Sequence, residues 1–199
     1  MTDVSRMPGH LIRRLHQIST HVFMTRTREA GFDLTPVQFA ALDAIREMAQ
    51  VPGGVVGAGT LVTPDDVAAA VEAGAQFGVS PGATDQLLDA CEAAGLPMLP
   101  GAATASEAMR LLERGYDMLK FFPAEASGGA PALKAIGAPL PQISFCPTGG
   151  VSPGNARTYL SLPNVVCAGG SWVAPADLIE AGDWAGITEL ARAARQLAG

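Results

Sequence analysis

The stretch Gly115-Tyr116-Asp117-Met118-Leu119-Lys120-Phe121-Phe122-Pro123 shows the pattern on which most of the chain is built. A glycine stands where a helix can end, a short apolar run follows, and a proline stops it, as expected of a buried strand between turn residues. The same order of glycine, apolar run and proline recurs after Gly74 and Gly95. Helix–strand units of this length predict right-handed βαβ crossovers and a parallel sheet.

Six βα units of this kind can be recognised from residue 42 onward. The first predicted strand, Gly54 to Ala58, leads into Thr63-Pro64-Asp65-Asp66, which has the capping residue, the proline and the acids of a helix start. The last two predicted strands, Gln142 to Cys146 and Val165 to Ala168, each lead into a Gly-Gly pair. Since a closed (βα)8 barrel has eight units, the sequence predicts an α/β fold, an incomplete TIM-type (βα) barrel with six units.

Residues 1–41 follow a helical pattern instead of this repeat. Apolar residues at helical spacing over 9–30 predict one amphipathic helix that ends at Gly31. Pro36 is suited to the first turn of a second helix. We therefore expect two domains, a helical segment over 1–41 and a barrel domain over 42–199.

The composition of the 199-residue chain narrows the classes of protein to consider. A hydrophobic content of 48% is enough for a sizeable core, and a net charge of −6 argues against general binding of nucleic acid. The three cysteines, Cys91, Cys146 and Cys167, have no Cys-x-x-Cys spacing, which argues against a disulfide framework and a zinc site. No apolar run approaches the roughly 20 residues that span a bilayer. We expect a cytoplasmic protein without membrane contact, bound metal or cofactor.

Lys120 is one of only two lysines in the chain and lies inside the apolar run Met118 to Phe122. Apolar surroundings disfavour the ammonium form and lower the pKa of a lysine, which makes the amine nucleophilic enough to attack a ketone and form a Schiff base. The alternative is a lysine whose stem is buried while its charged head is solvated. The choice between the two depends on the residues around it.

Two Gly-Gly pairs follow the last two predicted strands, and a barrel brings such strand ends together at one rim. Gly149-Gly150 and Gly169-Gly170-Ser171 can close backbone N–H groups and a hydroxyl around a phosphate. Thr60 and Thr148 offer hydroxyls at the same rim for a carboxylate or keto oxygen. Glycines are common in turns and either threonine could instead cap a helix, so the signal lies in the combination.

Six motifs occur in order between residues 42 and 199. They are Gly57-Ala58-Gly59-Thr60, Ser80-Pro81-Gly82, Pro100-Gly101, Lys120-Phe121-Phe122-Pro123-Ala124-Glu125, Cys146-Pro147-Thr148-Gly149-Gly150 and Gly169-Gly170-Ser171-Trp172. Together they resemble the family of 2-keto-3-deoxy-6-phosphogluconate (KDPG) and 4-hydroxy-2-oxoglutarate (KHG) aldolases. The resemblance implies a class I aldolase with Lys120 as the Schiff-base lysine. Its substrate would be a phosphorylated 2-keto acid, cleaved to pyruvate and glyceraldehyde 3-phosphate.

The resemblance also implies a role for each residue at the rim. Thr60 and Thr148 would hold the pyruvate end of the substrate, while Pro81 and Phe122 would line the pocket. The residues implied at the phosphate end are Gly149, Gly150, Gly170 and Ser171. Members of the family are trimers, so a homo-oligomer is expected.

The start of the chain departs from this family. In the resembled family two further βα units come first, and the second of their strands carries a general acid–base glutamate with an arginine nearby for the carboxylate. Here Asp43-Ala44-Ile45-Arg46 matches the helix after that strand, but helices replace the strand itself. Thr25-Arg26-Thr27-Arg28-Glu29 echoes the lost segment, yet it falls within a predicted helix. Without a placed base, proton transfer would slow by roughly 10²–10⁴-fold.

Residues 7–41 resemble the start of MarR-family winged-helix regulators, over Pro8 to Arg14 and Gly31 to Ala40. In that family the first helix helps to form a dimer and the second opens the DNA-binding domain. No recognition helix or basic wing follows here, so nucleic acid is not an expected partner. Three hypotheses result: an aldolase impaired by its missing base, a catalytically inactive chimera whose helices serve assembly, and a regulator that senses a sugar acid. The sequence does not separate KDPG from 4-hydroxy-2-oxoglutarate as substrate.

Overall fold

The computed structural model describes residues 36–198 together with the single residue Thr25. The strands in this part of the chain are β1 (Gly57–Gly59), β2 (Phe77–Val79), β3 (Met98–Leu99), β4 (Gly101–Ala102), β5 (Met118–Phe121) and β6 (Ser144–Pro147). The α-helices are α1 (Pro36–Met48), α2 (Pro64–Glu72), α3 (Asp85–Ala94), α4 (Ala105–Glu113), α5 (Gly129–Gly137), α6 (Ala156–Leu160), α7 (Ala176–Ala181) and α8 (Trp184–Arg195). Short 3₁₀ helices cover Ser171–Val173 and Gln196–Ala198.

Apart from Thr25, the helix predicted over 9–30 and the MarR-like stretch up to residue 35 lie outside the described residues, so both stay predictions. Over residues 36–198, no helix is long and apolar enough to cross a membrane. The structure therefore bears on the barrel domain and on α1, which covers the end of the predicted helical segment.

Every strand pair is parallel, as the helix–strand repeat predicts. In order, β1, β2 and β3 form one three-stranded sheet, and β4, β5 and β6 form a second. Pro100 separates β3 from β4, because proline has no N–H to donate to a ladder. Its carbonyl oxygen accepts from the N–H of Lys120 at 2.8 Å, while the carbonyl of Leu99 accepts from Ser80 at 3.2 Å. The chain thus passes from one parallel sheet directly into the other.

The sixth predicted strand, Val165 to Ala168, pairs only at two isolated positions. Phe145 forms a parallel bridge with Val165, and Thr148 forms one with Gly169. The two bridges are therefore four residues apart in the Val165–Gly169 segment but three residues apart in the Phe145–Thr148 segment. The extra residue disrupts the ladder as a β-bulge does, so the segment follows β6 without forming a regular strand.

Side-chain and glycine caps set the helix boundaries that the sequence predicts. At the start of α2, the N–H of Asp66 donates to the hydroxyl of Thr63 at 3.1 Å, and the N–H of Thr63 donates to the Asp66 carboxylate at 2.9 Å. This reciprocal pair is a capping box. Gly95 ends α3 in the left-handed conformation, with φ of 64°. Because all strands run in one direction, their carboxyl ends meet at one edge of each sheet.

Two clusters of buried side chains pack against the two sheets. The cluster beside β1 to β3 includes Val67 and Leu87, and the cluster beside β4 to β6 includes Leu133 and Tyr159. β1 is hydrogen-bonded to a strand on one side only, and Val55, two residues before it, is 73% exposed. One end of the first sheet is thus an open edge among the described residues.

Candidate active site

All nine candidate residues lie in or just after the strands and bridges of the two sheets. Thr60 follows β1, Pro81 follows β2, Lys120 lies in β5, Phe122 follows β5, Thr148, Gly149 and Gly150 follow β6, and Gly170 and Ser171 follow the bridged segment. This is the edge of a parallel sheet at which barrel enzymes build their sites. Because these residues follow the carboxyl ends of parallel strands, they can contribute to one site.

Lys120 stands at the centre of the second sheet. Its neighbours across the sheet are Gly101 on β4 and Cys146 on β6. Its side chain is half-buried, and Nζ lies 4.5 Å from the centroid of the Phe122 ring. Burial lowers the pKa of Lys120, although the charge of Cys146 acts in the opposite direction. The environment therefore favours the neutral amine, as the apolar run predicts.

Cys146 beside the lysine, and Cys167, which interacts with Cys146, were not predicted as site residues. Interaction with the Cys167 thiol lowers the pKa of Cys146 to about 7, and the Thr148 hydroxyl, 3.9 Å from its Sγ, and the Lys120 charge act in the same direction against burial. The same interaction and burial raise the pKa of Cys167. The only sequence signal was spacing: Cys146 and Thr148 are two residues apart, which puts their side chains on one face of a strand. The site thus holds an acidic thiol next to a desolvated amine.

The connection after β5 packs directly on the connection after β6. The N–H of Ala124 donates to the carbonyl of Thr148 at 2.8 Å, and the N–H of Thr148 donates to the carbonyl of Phe121 at 2.9 Å. The Phe122–Pro123 peptide between them is cis. Gly149 and Gly150 have φ of 95° and 80°, a region that side-chain-bearing residues rarely adopt. These glycines therefore turn the chain tightly beside the lysine.

Pro81 reaches the lysine through the neighbouring strand. A Cβ placed on Gly101 would lie 2.2 Å from the carbonyl oxygen of Pro81, so only glycine permits this approach. Gly101 is itself the β4 partner of Lys120. Pro81 is thus one strand away from the amine, in a position suited to lining a pocket around it.

Thr60 lies at the other end of the strand order, beyond β2 and the 98–102 segment. It has φ of 63°, an uncommon conformation for a residue other than glycine and one that is enriched at functional sites. It lines a cleft of about 110 Å³ together with Leu42 of α1 and Asp66 of α2. The structure therefore places Thr60 at the expected strand end but next to the open edge.

Gly170 and Ser171 begin a short 3₁₀ helix after the bridged segment. Gly170 precedes the helix, and Ser171 is exposed at its start. Because Gly169 is bridged to Thr148, this turn lies alongside the Gly149-Gly150 turn. The structure brings Lys120, Phe122, Thr148 and both glycine turns to one side of the second sheet.

No cluster of three or more His, Cys, Asp or Glu side chains suited to a metal ion exists within the described part of the chain. The chemistry suggested by the site comes from an amine, a thiol, hydroxyls and backbone N–H groups. Of these, only an amine with a lowered pKa forms a Schiff base with a ketone.

Residues 30–190 match the family described as KDPG and KHG aldolase. The chain belongs to this aldolase family. A relative from Pseudoalteromonas atlantica, 2-dehydro-3-deoxy-phosphogluconate aldolase, is 56% identical over 156 residues, which is 78% of this chain and 73% of the relative. The matched range includes all six strands, so the resemblance carried by the motifs is confirmed at the level of family.

Solved structures of aldolases share the fold. The KDPG aldolase of Legionella pneumophila, with pyruvate captured as a covalent carbinolamine intermediate, has a TM-score of 0.75 and 46% identity over 77% of this chain and 75% of that one. The 2-keto-3-deoxy-6-phosphogluconate aldolase of Zymomonas mobilis ZM4 with 3-phosphoglycerate has a TM-score of 0.72 and 47% identity over 78% of this chain and 73% of that one. The parallel α/β arrangement described above is thus an aldolase-family arrangement.

Proposed function

We propose that this chain is a class I aldolase that cleaves 2-keto-3-deoxy-6-phosphogluconate to pyruvate and glyceraldehyde 3-phosphate through a Schiff base on Lys120. The observation that carries the proposal is the environment of Lys120: burial lowers the pKa of its amine, and Nζ lies 4.5 Å from the centroid of the Phe122 ring. Membership of the KDPG and KHG aldolase family supports the same reaction.

The reaction follows from the chemistry of a neutral amine. The Lys120 amine adds to the C2 ketone to give a carbinolamine, which loses water to form an iminium. The C3–C4 bond then breaks, its electron pair moves toward the iminium nitrogen, and the C4 hydroxyl gives up its proton. Glyceraldehyde 3-phosphate leaves, the resulting enamine takes a proton at C3, and water releases pyruvate and restores the amine.

The remaining candidate residues divide between the two ends of the substrate. We assign Thr60 and Thr148 to the pyruvate end, and Pro81 and Phe122 to the walls of the pocket. The residues that we assign to the phosphate end are Gly149, Gly150, Gly170 and Ser171. Glycine turns suit this role because their backbone N–H groups can point at an anion without a side chain in the way.

We propose that the N-terminal segment, residues 1–41, limits the rate of this cleavage. We propose an incomplete barrel of six βα units, in which residues 1–41, with their MarR-like sequence, take the place of the first two units of the resembled family. The glutamate that serves that family as general acid–base then has no counterpart in the matched motifs. Activity reduced by roughly 10²–10⁴-fold is the expected consequence.

One observation favours a second function, that of an inactive chimera whose helical segment serves assembly. Among residues 36–198, β1 has a strand partner on one side only, and an uncovered edge strand favours association with other chains. Light scattering separates the assemblies: a trimer fits the family, whereas a dimer or an aggregate fits association through the edge. We place the protein in the cytoplasm, the compartment that its unpaired cysteines suit.

Pyruvate release tests the proposed function directly. The protein is incubated with KDPG, with unphosphorylated 2-keto-3-deoxygluconate, and with 4-hydroxy-2-oxoglutarate, and pyruvate is measured in each case. The proposal predicts release from KDPG with a lower KM than from the unphosphorylated sugar acid. No release from any of the three substrates by folded protein would favour the inactive chimera.

A further inference from the structure

Tyr159 holds a polar group in the middle of an apolar cluster. The residue lies on α6, is 1% exposed, and packs among the buried side chains of the second sheet. A buried hydroxyl must be hydrogen-bonded, and that of Tyr159 donates to Oε1 of Glu125, which follows β5. Burial and this bond raise the pKa of Tyr159. The pair therefore joins α6 to the connection after β5.

Glu125 also contacts the Gly149-Gly150 turn, through its backbone and its side chain. Its N–H donates to the carbonyl of Gly149 at 3.1 Å. A Cβ placed on Gly150 would lie 2.7 Å from the Cβ of Glu125, so the glycine rests directly on the glutamate stem. The Glu125 side chain and the turn are therefore in close contact.

The same helix holds this turn from a second side. Asn155, the residue before α6, donates from Nδ2 to the carbonyl of Gly150 at 3.1 Å. Its Oδ1 accepts from the N–H of Ser152 at 2.7 Å. Asn155 and Tyr159 are four residues apart, about one turn of helix. The start of α6 therefore contacts both the Gly149-Gly150 turn and the Glu125 side chain that packs against it.

We infer that Glu125 and Tyr159 are positioning residues that fix the Gly149-Gly150 turn in the shape that receives the phosphate of the substrate. The inference rests on the proposed function, which assigns these glycines to the phosphate end. Glycine turns are conformationally permissive, and donors stabilise an anion best when they are fixed in advance. The hydrogen bond from Tyr159 also draws the Glu125 charge toward α6 and away from the incoming phosphate.

This geometry argues against Glu125 as a substitute for the missing base. The Glu125 side chain is directed to Tyr159 on α6, whereas Lys120 faces Phe122 and Cys146. A positioning role predicts an effect on phosphate binding and leaves the formation of the pyruvate adduct unchanged. A proton-transfer role predicts the opposite.

The test compares two tyrosine-to-phenylalanine variants, since the chain contains only two tyrosines. Tyr159→Phe removes the hydroxyl and keeps the ring in the core. Tyr116→Phe removes the other hydroxyl, which donates to Glu92 at 3.2 Å. We expect Tyr159→Phe to bind 3-phosphoglycerate about tenfold more weakly, a change typical of losing a hydrogen bond to a charged group. Tyr116→Phe should bind it as the wild type does.

Two further measurements separate positioning from a general structural defect. Trapping of pyruvate by borohydride should proceed equally in the wild type and in Tyr159→Phe, because pyruvate carries no phosphate. Glu125→Gln keeps an oxygen that accepts from Tyr159, so it should restore most of the affinity that Glu125→Ala loses. Equal losses of phosphoglycerate binding and pyruvate trapping in Tyr159→Phe would overturn the inference.

The wild-type protein distinguishes failure of the inference from failure of the proposed function. If the wild type binds glycerate as well as 3-phosphoglycerate, the assignment of a phosphate end is wrong and the inference falls with it. If the wild type prefers 3-phosphoglycerate and Tyr159→Phe keeps that preference in full, the proposed function stands and the inference alone is overturned.

Discussion

The two sheets of this molecule differ in what they contribute to the candidate site. The second sheet carries Lys120 between two strand partners and places Phe122 and Cys146 around it. The first sheet carries Thr60 and Pro81 at its strand ends, and within the described part of the chain its β1 side is an open edge. In the proposed reaction, Schiff-base formation uses groups of the second sheet, whereas the general base of the resembled family would lie beside the first sheet. Substitutions in the two sheets should therefore affect pyruvate adduct formation and KDPG cleavage to different extents.

Replacing Lys120, which supplies the amine of the second sheet, should have the largest effect on activity. Lys120→Ala should abolish pyruvate release from KDPG, because a retro-aldol step by this route has no electron sink without the iminium. Lys134→Ala is the matched control, since it removes the chain's other lysine, which lies exposed on α5. It should keep at least half of the wild-type rate. Cleavage by Lys120→Ala at the wild-type rate would place the chemistry elsewhere.

Comparing capture with cleavage tests the role of the first sheet. Against the Pseudoalteromonas atlantica relative, the proposed incomplete barrel, which would lack a placed base, predicts a kcat for KDPG cleavage lower by roughly 10²–10⁴-fold. The rate of adduct formation with pyruvate should differ by less than about tenfold, because it depends on amine basicity. Rapid-quench kinetics on both proteins measure the two rates. Equal kcat values would mean that another group supplies the base.

Core substitutions compare the packed cluster with the open edge. Leu133 is fully buried in the cluster of the second sheet, and Leu133→Ala should lower the free energy of unfolding by about 2–5 kcal/mol. Val55 is 73% exposed, and Val55→Ala should change it by less than about 0.5 kcal/mol. Urea denaturation measures both changes. A large loss from Val55→Ala would show that another segment or another chain covers this edge.

The smallest predicted effect concerns the thiol beside the amine. The charge of Cys146 raises the pKa of Lys120, in opposition to burial. Cys146→Ala removes that charge, so the neutral amine should form at lower pH and the midpoint of the pH–rate curve for adduct formation should move to lower pH. Cys91→Ala, at a buried cysteine of the other cluster, is the control and should leave the midpoint in place. A shift to higher pH in Cys146→Ala would contradict the electrostatic assignment.

The repeat of glycine, apolar run and proline was enough to predict a parallel α/β fold, because each helix cap and strand end is a local event. The capping box at Thr63 and the left-handed Gly95 show this directly. The division into two sheets at Pro100 was not predicted. It depends on which neighbour each half of the 98–102 segment pairs with, and that choice is made by tertiary packing. The bulged pairing of Val165 to Gly169 was missed for the same reason.

A property of the candidate site could be predicted from the sequence when it depends on residues close together in the chain. Burial lowers the pKa of Lys120, and the apolar run that predicts this includes Phe122, whose ring lies 4.5 Å from Nζ. The interaction of Cys146 with Cys167 and the Tyr159–Glu125 hydrogen bond join residues far apart in the chain, so they form only when α6 and the bridged segment have folded back. Motif spacing carries no information on such partners.

Mass spectrometry after incubation with pyruvate and borohydride tests the central claim most directly. Proteolytic mapping of the wild-type protein should locate a reduced pyruvate adduct on the peptide that contains Lys120. The peptide that contains Lys134 should remain unmodified, although its lysine is the more exposed of the two. An adduct on Lys134 alone, or no adduct on folded protein, would contradict a Schiff-base site on the second sheet.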